Sequence, residues 1–158
     1  MENKYFLHRI QKEDGNFSKG IEVHDTLDAA VLSFYSRMKL GFNNPEKPNL
    51  TFISCKITDG NGEVVDPYSF AWVKDETGNV FFMHHIRKSG DVYDKDVDIC
   101  VDHDQALRAY AAAMEYGFGN TRFPDISFVS CFITDMLSGG MVLNAKTWNK
   151  PEPEPEES

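Results

Sequence analysis

Ser54-Cys55-Lys56-Ile57-Thr58-Asp59 returns 76 positions later as Ser130-Cys131-Phe132-Ile133-Thr134-Asp135, with one residue changed. The correspondence runs outward in both directions without a gap, from Tyr5 to Trp72 in the first copy. It pairs Phe6 with Phe82, His8 with His84, Ile10 with Ile86, Lys19 with Lys95, Met38 with Met114, Pro48 with Pro124, Phe52 with Phe128 and Trp72 with Trp148. Two copies of a unit of about seventy residues are too few and too long for a solenoid, so the chain reads as a pseudo-symmetric pair. The repeats span residues 1–75 and 80–150. A unit of this size buries only roughly 60% of its unfolded surface and is marginal alone, so the halves are expected to bury apolar area against each other.

Reading both copies together predicts one order of elements. Tyr5 to Lys12 is strand-like, and Glu13-Asp14-Gly15-Asn16 is a turn into a second strand with Ile21 and Val23 on one face and Glu22 on the other. In the second copy Val97 and Ile99 stand against Asp98. A helix follows, opened by Thr26 in one copy and by Asp102, with Gln105 three residues on, in the other. Gly41 and Gly117 read as left-handed glycine caps that end the helices. The third strand places Ile53, Cys55 and Ile57 on one face, and Val129, Cys131 and Ile133 likewise. Asp59-Gly60-Asn61-Gly62 turns the chain into a fourth strand that ends near Trp72. The fold class is therefore α+β, a tandem duplication of a ββαββ unit with an antiparallel sheet and one helix per unit.

Two features bear on how the copies meet. Ser33 and Ser36 match Ala109 and Ala112, a small flank on each helix such as close helix packing would require, which leaves both helix-to-helix and sheet-to-sheet pairing open. The first strand carries apolar residues at both parities, and Phe52 and Phe128 lie opposite the core face of the third, so this strand pair is either covered on both sides or exposes an apolar patch. Beyond Trp148, the segment 151–158 alternates proline with glutamate and is expected to be extended and disordered.

With 158 residues, 41% hydrophobic and 13% aromatic, the chain can build a packed core. Its net charge is −9, with four of those units in the tail. No basic stripe is present for direct nucleic-acid binding, whereas an acidic surface suits a basic protein partner. No apolar run approaches membrane-spanning length. Three cysteines and a start that runs directly into strand-like sequence predict a reduced, cytoplasmic setting.

Candidate chemistry is sparse. Cys55 and Cys131 share a face with Ile and Val in mid-strand, which makes them core residues rather than nucleophiles. His8 and His84 are the better functional candidates, because a pseudo-twofold axis would bring them together, with Arg9, His85, Trp72 and Trp148 completing a ligand site between the repeats; the plainer reading is a pair of satisfied strand histidines. The histidines lack the spacing of a local zinc site, so no metal is expected. Asp94, Asp96 and Asp98 lie on one parity of the second copy's second strand, with Asp102 and Asp104 close behind. The run lacks the glycine and closing glutamate of a calcium loop. Its counterparts Ser18, Gly20 and Glu22 are far less acidic, so this stripe breaks the internal symmetry and is the candidate protein-binding surface.

Phe6-x-His8-x-Ile10, the helix around Asp28-Ala29-Ala30, the Ile57-Thr58-Asp59-Gly60 turn and the closing Trp72 resemble small single-unit proteins of unknown function from bacterial phages and prophages. The second copy departs from that pattern at Met136-Leu137. The resemblance implies a virus or mobile-element accessory protein and no defined activity. The leading expectation is a non-enzymatic acidic binding protein, without cofactor, that docks on and modulates a host or phage protein with a basic surface. The alternative is a module that sequesters a small molecule between the two repeats.

Overall fold

The computed structural model describes residues 4–39, 45–74, 76, 78–118, 120–138 and 141–151. Gly41 and all of the tail except Pro151 fall outside these residues, and with them the expectations placed there. The first repeat forms β1 (Tyr5–Glu13), β2 (Asn16–His24), α1 (Leu27–Met38), β3 (Leu50–Thr58) and β4 (Val64–Val73). The second forms β5 (Phe81–Ser89), β6 (Val92–Cys100), α2 (His103–Met114), β7 (Ile126–Asp135) and β8 (Val142–Asn149). Each repeat is one antiparallel sheet, ordered β2-β1-β3-β4 and β6-β5-β7-β8, so β2 and β6 are edge strands.

Local chemistry sets these elements. Asp14 and Gly15 take positive φ (54° and 80°) and close the β1–β2 hairpin in two residues, the geometry that matches strand twist. Thr26 caps α1 by accepting from the Ala29 amide, and Asp102 caps α2 by accepting from the Gln105 amide at 2.8 Å. The Gln105 side chain reaches back to the Val101 amide, also at 2.8 Å. Gly117 departs from expectation: its φ is not positive, and Phe118 takes the left-handed conformation instead (φ 59°). Space favours glycine there, because a Cβ would lie 3.1 Å from Val129 Cγ2 and 3.3 Å from the Trp148 ring, tighter than ordinary contact.

The two faces of each sheet bury different things. One parity of β1 and β3, with Leu7, Ile53, Cys55 and Ile57, packs under α1 around Ala30 and Phe34. The equivalent Met83, Val129, Cys131 and Ile133 pack under α2. The other parity joins the repeats: Phe6, Ile10, Ile21 and Phe52 form one cluster with Phe82, Ile86, Val97 and Phe128. The contacts are reciprocal, as a pseudo-twofold axis demands. Phe6 stacks on Phe128 at 5.6 Å and Phe52 on Phe82 at 5.6 Å, while Tyr93 meets Phe6 edge-on at 5.7 Å and Phe17 meets Phe82 at 5.8 Å. The molecule is thus four layers, helix, sheet, sheet, helix.

This arrangement decides between the open alternatives. The repeats meet through their sheets, not their helices, which lie on opposite outer faces, each packed against its own sheet. The doubly apolar strands are covered on both sides. Ile99, expected on the buried face of β6, is 36% exposed, because inward burial on this edge strand stops at Val97. Met136 fills the margin of the inter-sheet core where its counterpart Gly60 has no side chain to offer.

Candidate functional site

A polar line runs through the inter-repeat core. His8 and His84, 1% and 2% exposed, face each other with Nδ1 atoms 3.2 Å apart. His8 Nε2 lies 2.9 Å from Thr58 Oγ1, and His84 Nε2 lies 2.8 Å from Thr134 Oγ1. Phe132 stacks on His84 at 4.2 Å and meets His8 edge-on at 4.6 Å. Its counterpart Lys56 is 5% exposed and donates to Ser69 Oγ at 2.7 Å. Burial, with Lys56 nearby, pushes His8 down to about 3, and burial with His8 and Lys56 holds His84 well below its usual value. Both rings are therefore neutral at physiological pH. The line is buried between the two sheets, and every ring nitrogen in it lies within hydrogen-bond distance of a partner.

The other residues expected to join it lie elsewhere. Trp72 packs with the α1-side core and Trp148 with the α2-side core. Arg9 and His85 occupy the helix-facing parity of β1 and β5, so the histidine pair is not gathered with them into one pocket. Cys55 and Cys131, both 1% exposed, are raised by burial to about 12, so neither presents a thiolate.

The acidic residues are each engaged. Asp94 Oδ2 pairs with Arg87 Nη2 at 2.5 Å, Asp96 Oδ1 with Lys19 of the first repeat at 3.2 Å, and Asp98 Oδ2 with His85 Nε2 at 3.5 Å. Asp102 is the α2 cap and Asp104 sits in its first turn, where the helix dipole favours an anion. The side chains of Asp94, Asp96 and Asp98 still remain 61%, 48% and 47% exposed.

Asp94 and Asp98 also line a cleft of about 450 Å³ between α2 and its sheet. Met83, Val129 and Cys131 form the floor, Ala109, Ala112 and Ala113 the helix wall, and Tyr116 and Phe123 the aromatic end. Arg87 lies over the Tyr116 ring at 4.0 Å. The equivalent space in the first repeat is filled with charge. Glu22 accepts from Ser33 at 2.7 Å, lies 2.9 Å from His24, and is approached by Arg37 at 3.5 Å and Arg9 at 3.6 Å. Partial burial works to raise the Glu22 carboxyl, but the Ser33 and His24 hydrogen bonds and the Arg37 charge outweigh it and hold it low. These charges act on the Cys55 thiol, as the cleft overlies its counterpart Cys131.

Position by position, the second repeat has Ala113 for Arg37, Ala109 for Ser33, Asp98 for Glu22 and His85 for Arg9. His85, Asp98, Ala109 and Ala113 all line the cleft. Among its lining residues, His85, Asp94 and Asp98 are the ones that the sequence places at a candidate binding site. Ala109 and Ala112 are legible as small, like Ser33 and Ser36 in the first copy, and the signal that sequence reading missed is Ala113, which stands where the first copy has Arg37. No family model, curated protein or solved structure matches the chain. No helix among the described residues is long and apolar enough to cross a membrane.

Proposed function

We propose that this chain is a non-enzymatic acidic binding protein whose second repeat docks on a partner with a basic surface, the first repeat serving as its packed scaffold. One observation carries the reading: where the first repeat joins helix and sheet through Arg37, Glu22 and Ser33, the second has a cleft beside three half-exposed carboxylates. Cavities of this size, with an apolar floor and a few convergent polar groups, are the usual form of binding sites. In the setting that the phage and prophage resemblance implies, the partner is a host or phage protein that docking modulates, and three free cysteines suit a cytoplasmic location.

The test is replacement of Asp94, Asp96 and Asp98 together with Asn. The fold is expected to survive, since all three lie on an edge strand and are partly exposed, while capture of the basic partner weakens and its salt dependence flattens. Unchanged affinity at low salt would sink the proposal. The second reading, sequestration of a small molecule, is favoured by the cleft volume. It places the ligand within the second repeat, because the space between the repeats is filled by the phenylalanine stacks and the histidine pair.

A further inference from the structure

We infer that the cleft beside α2 receives the guanidinium group of an arginine side chain presented by a polypeptide partner, with Asp98 as its carboxylate. The inference rests on the docking reading and specifies what enters the site. Its basis is that the chain contains the occupied form of the same site. In the first repeat a guanidinium, that of Arg37, reaches from the helix into this space and meets the Glu22 carboxylate at 3.5 Å. A second guanidinium, Arg9, meets the same carboxylate from the sheet at 3.6 Å, and Gly20 leaves room for it, since a Cβ there would lie 3.1 Å from Arg9 Nη2. In the second repeat both guanidiniums are gone, replaced by Ala113 and His85, but the carboxylate remains as Asp98. Its nearest partner is an imidazole nitrogen at 3.5 Å, charged only when protonated.

The other lining groups agree with a cationic occupant. Three carboxylates, Asp94, Asp98 and Glu115, face two guanidiniums, Arg87 and Arg122, so the cleft is left one negative charge in excess. Arg87 is itself neutralised by Asp94 and stacked on Tyr116, which shows a guanidinium held against the aromatic end of the cleft. The planar fork of arginine suits a carboxylate better than the point charge of lysine. A polypeptide source, rather than a free compound, is indicated by Asp96, which extends the acidic stripe along the edge strand β6 and stays half-exposed although it pairs with Lys19 of the first repeat.

The test titrates the full-length protein with N-acetyl-arginine amide, with its citrulline analogue, and with a Gly-Arg-Gly-Arg-Gly peptide, following heat and backbone amide shifts. Shifts are expected at Asp98, Ala109, Ala113 and Tyr116, with citrulline at least about tenfold weaker, as loss of a charge-assisted hydrogen bond implies. The peptide is expected to bind more tightly than the single blocked arginine. Ala113→Arg supplies the first repeat's occupant in place and is expected to abolish binding with the fold retained. Should that variant fail to fold, Asp98→Asn decides, with a loss of at least about tenfold expected. In the reciprocal variant, Arg37→Ala, a second guanidinium site beside Glu22 is expected, raising the stoichiometry from one to two. Citrulline binding as well as arginine, shifts confined to other surfaces, or full binding by Asp98→Asn would overturn the proposal. A blocked arginine as tight as the peptide would assign the cleft to free guanidinium compounds and overturn the polypeptide source. If no probe binds while the triple Asn variant loses a basic partner, the guanidinium site fails and the docking reading stands. If arginine binds but Asp94→Asn with Asp96→Asn leaves the affinity for that partner unchanged, docking along the stripe fails and the guanidinium site stands.

Discussion

His8 and His84 show how one residue type changes meaning with its surroundings. Two histidines at matching positions in a duplicated chain suggested a site, and the pseudo-twofold axis does bring them together, but in a place sealed by Phe132 and satisfied by Thr58 and Thr134. Their consequence is a pH dependence of stability. The folded state keeps both rings neutral, with His8 down at about 3, whereas in the unfolded chain each takes up a proton as pH falls through about 6.5. The unfolded state then binds more protons, so the stabilisation present above about pH 6.5 is lost on acidification, by about 1.4 kcal/mol per pH unit for each histidine. Denaturant midpoints between pH 6.5 and 4.5 are expected to fall accordingly, and His84→Gln to flatten the slope. An unchanged slope in that variant would remove the histidine from the account. The cysteines were more legible, since strand parity alone places Cys55 and Cys131 among branched apolar neighbours.

At the scale of elements, strands and caps were readable because their signals are local: alternation for β2 and β6, Thr26 and Asp102 before the helices, Asp14-Gly15 in the hairpin. The glycines after the helices were less so. Gly117 lies close against the distant Val129 and Trp148 side chains, which no local pattern reveals. Gly62 combines both reasons. Its φ of +76° follows from the turn, where Asp59 accepts from the Asn61 and Glu63 amides at 2.9 and 3.0 Å, and a Cβ there would run into Thr147 of β8 in the other repeat. Gly62→Ala is therefore expected to cost about 2 kcal/mol, roughly half from the left-handed backbone and the rest from the displaced Thr147. Pairing it with Thr147→Ala should return only the share due to Oγ1, since the Cβ of residue 147 still lies 2.9 Å away, measured by denaturation as a double-mutant cycle.

For the whole molecule, the duplication was legible and the mode of assembly was not. Apolar residues at both parities of β1 and β3 left room for a covered sheet face, but the small flank of the helices left room equally for helix contact. Small residues on a helix mark close packing or an empty space, and only the three-dimensional arrangement distinguishes these. Because the sheets share Phe6, Ile10, Ile21 and Phe52 with their counterparts, a fragment of residues 1–75 would expose that face to water. Each such phenylalanine forfeits about 1.5–3 kcal/mol of burial, so the fragment is expected to self-associate by the same face, which light scattering would register as a dimer. A well-ordered monomer would show the repeats to be independent.

The histidine contact on the axis carries one more consequence. A hydrogen bond between two Nδ1 atoms 3.2 Å apart needs a proton on one nitrogen and a lone pair on the other, so two neutral rings must adopt different tautomers. If His8 donates, its Nε2 accepts from the Thr58 hydroxyl while His84 Nε2 donates to Thr134; the mirror arrangement reverses every bond. A chain doubled in its residues therefore cannot be doubled in its protons, and the departure from symmetry that begins with Lys56 opposite Phe132 reaches down to single hydrogen atoms, where imidazole nitrogen resonances would reveal one ring of each kind.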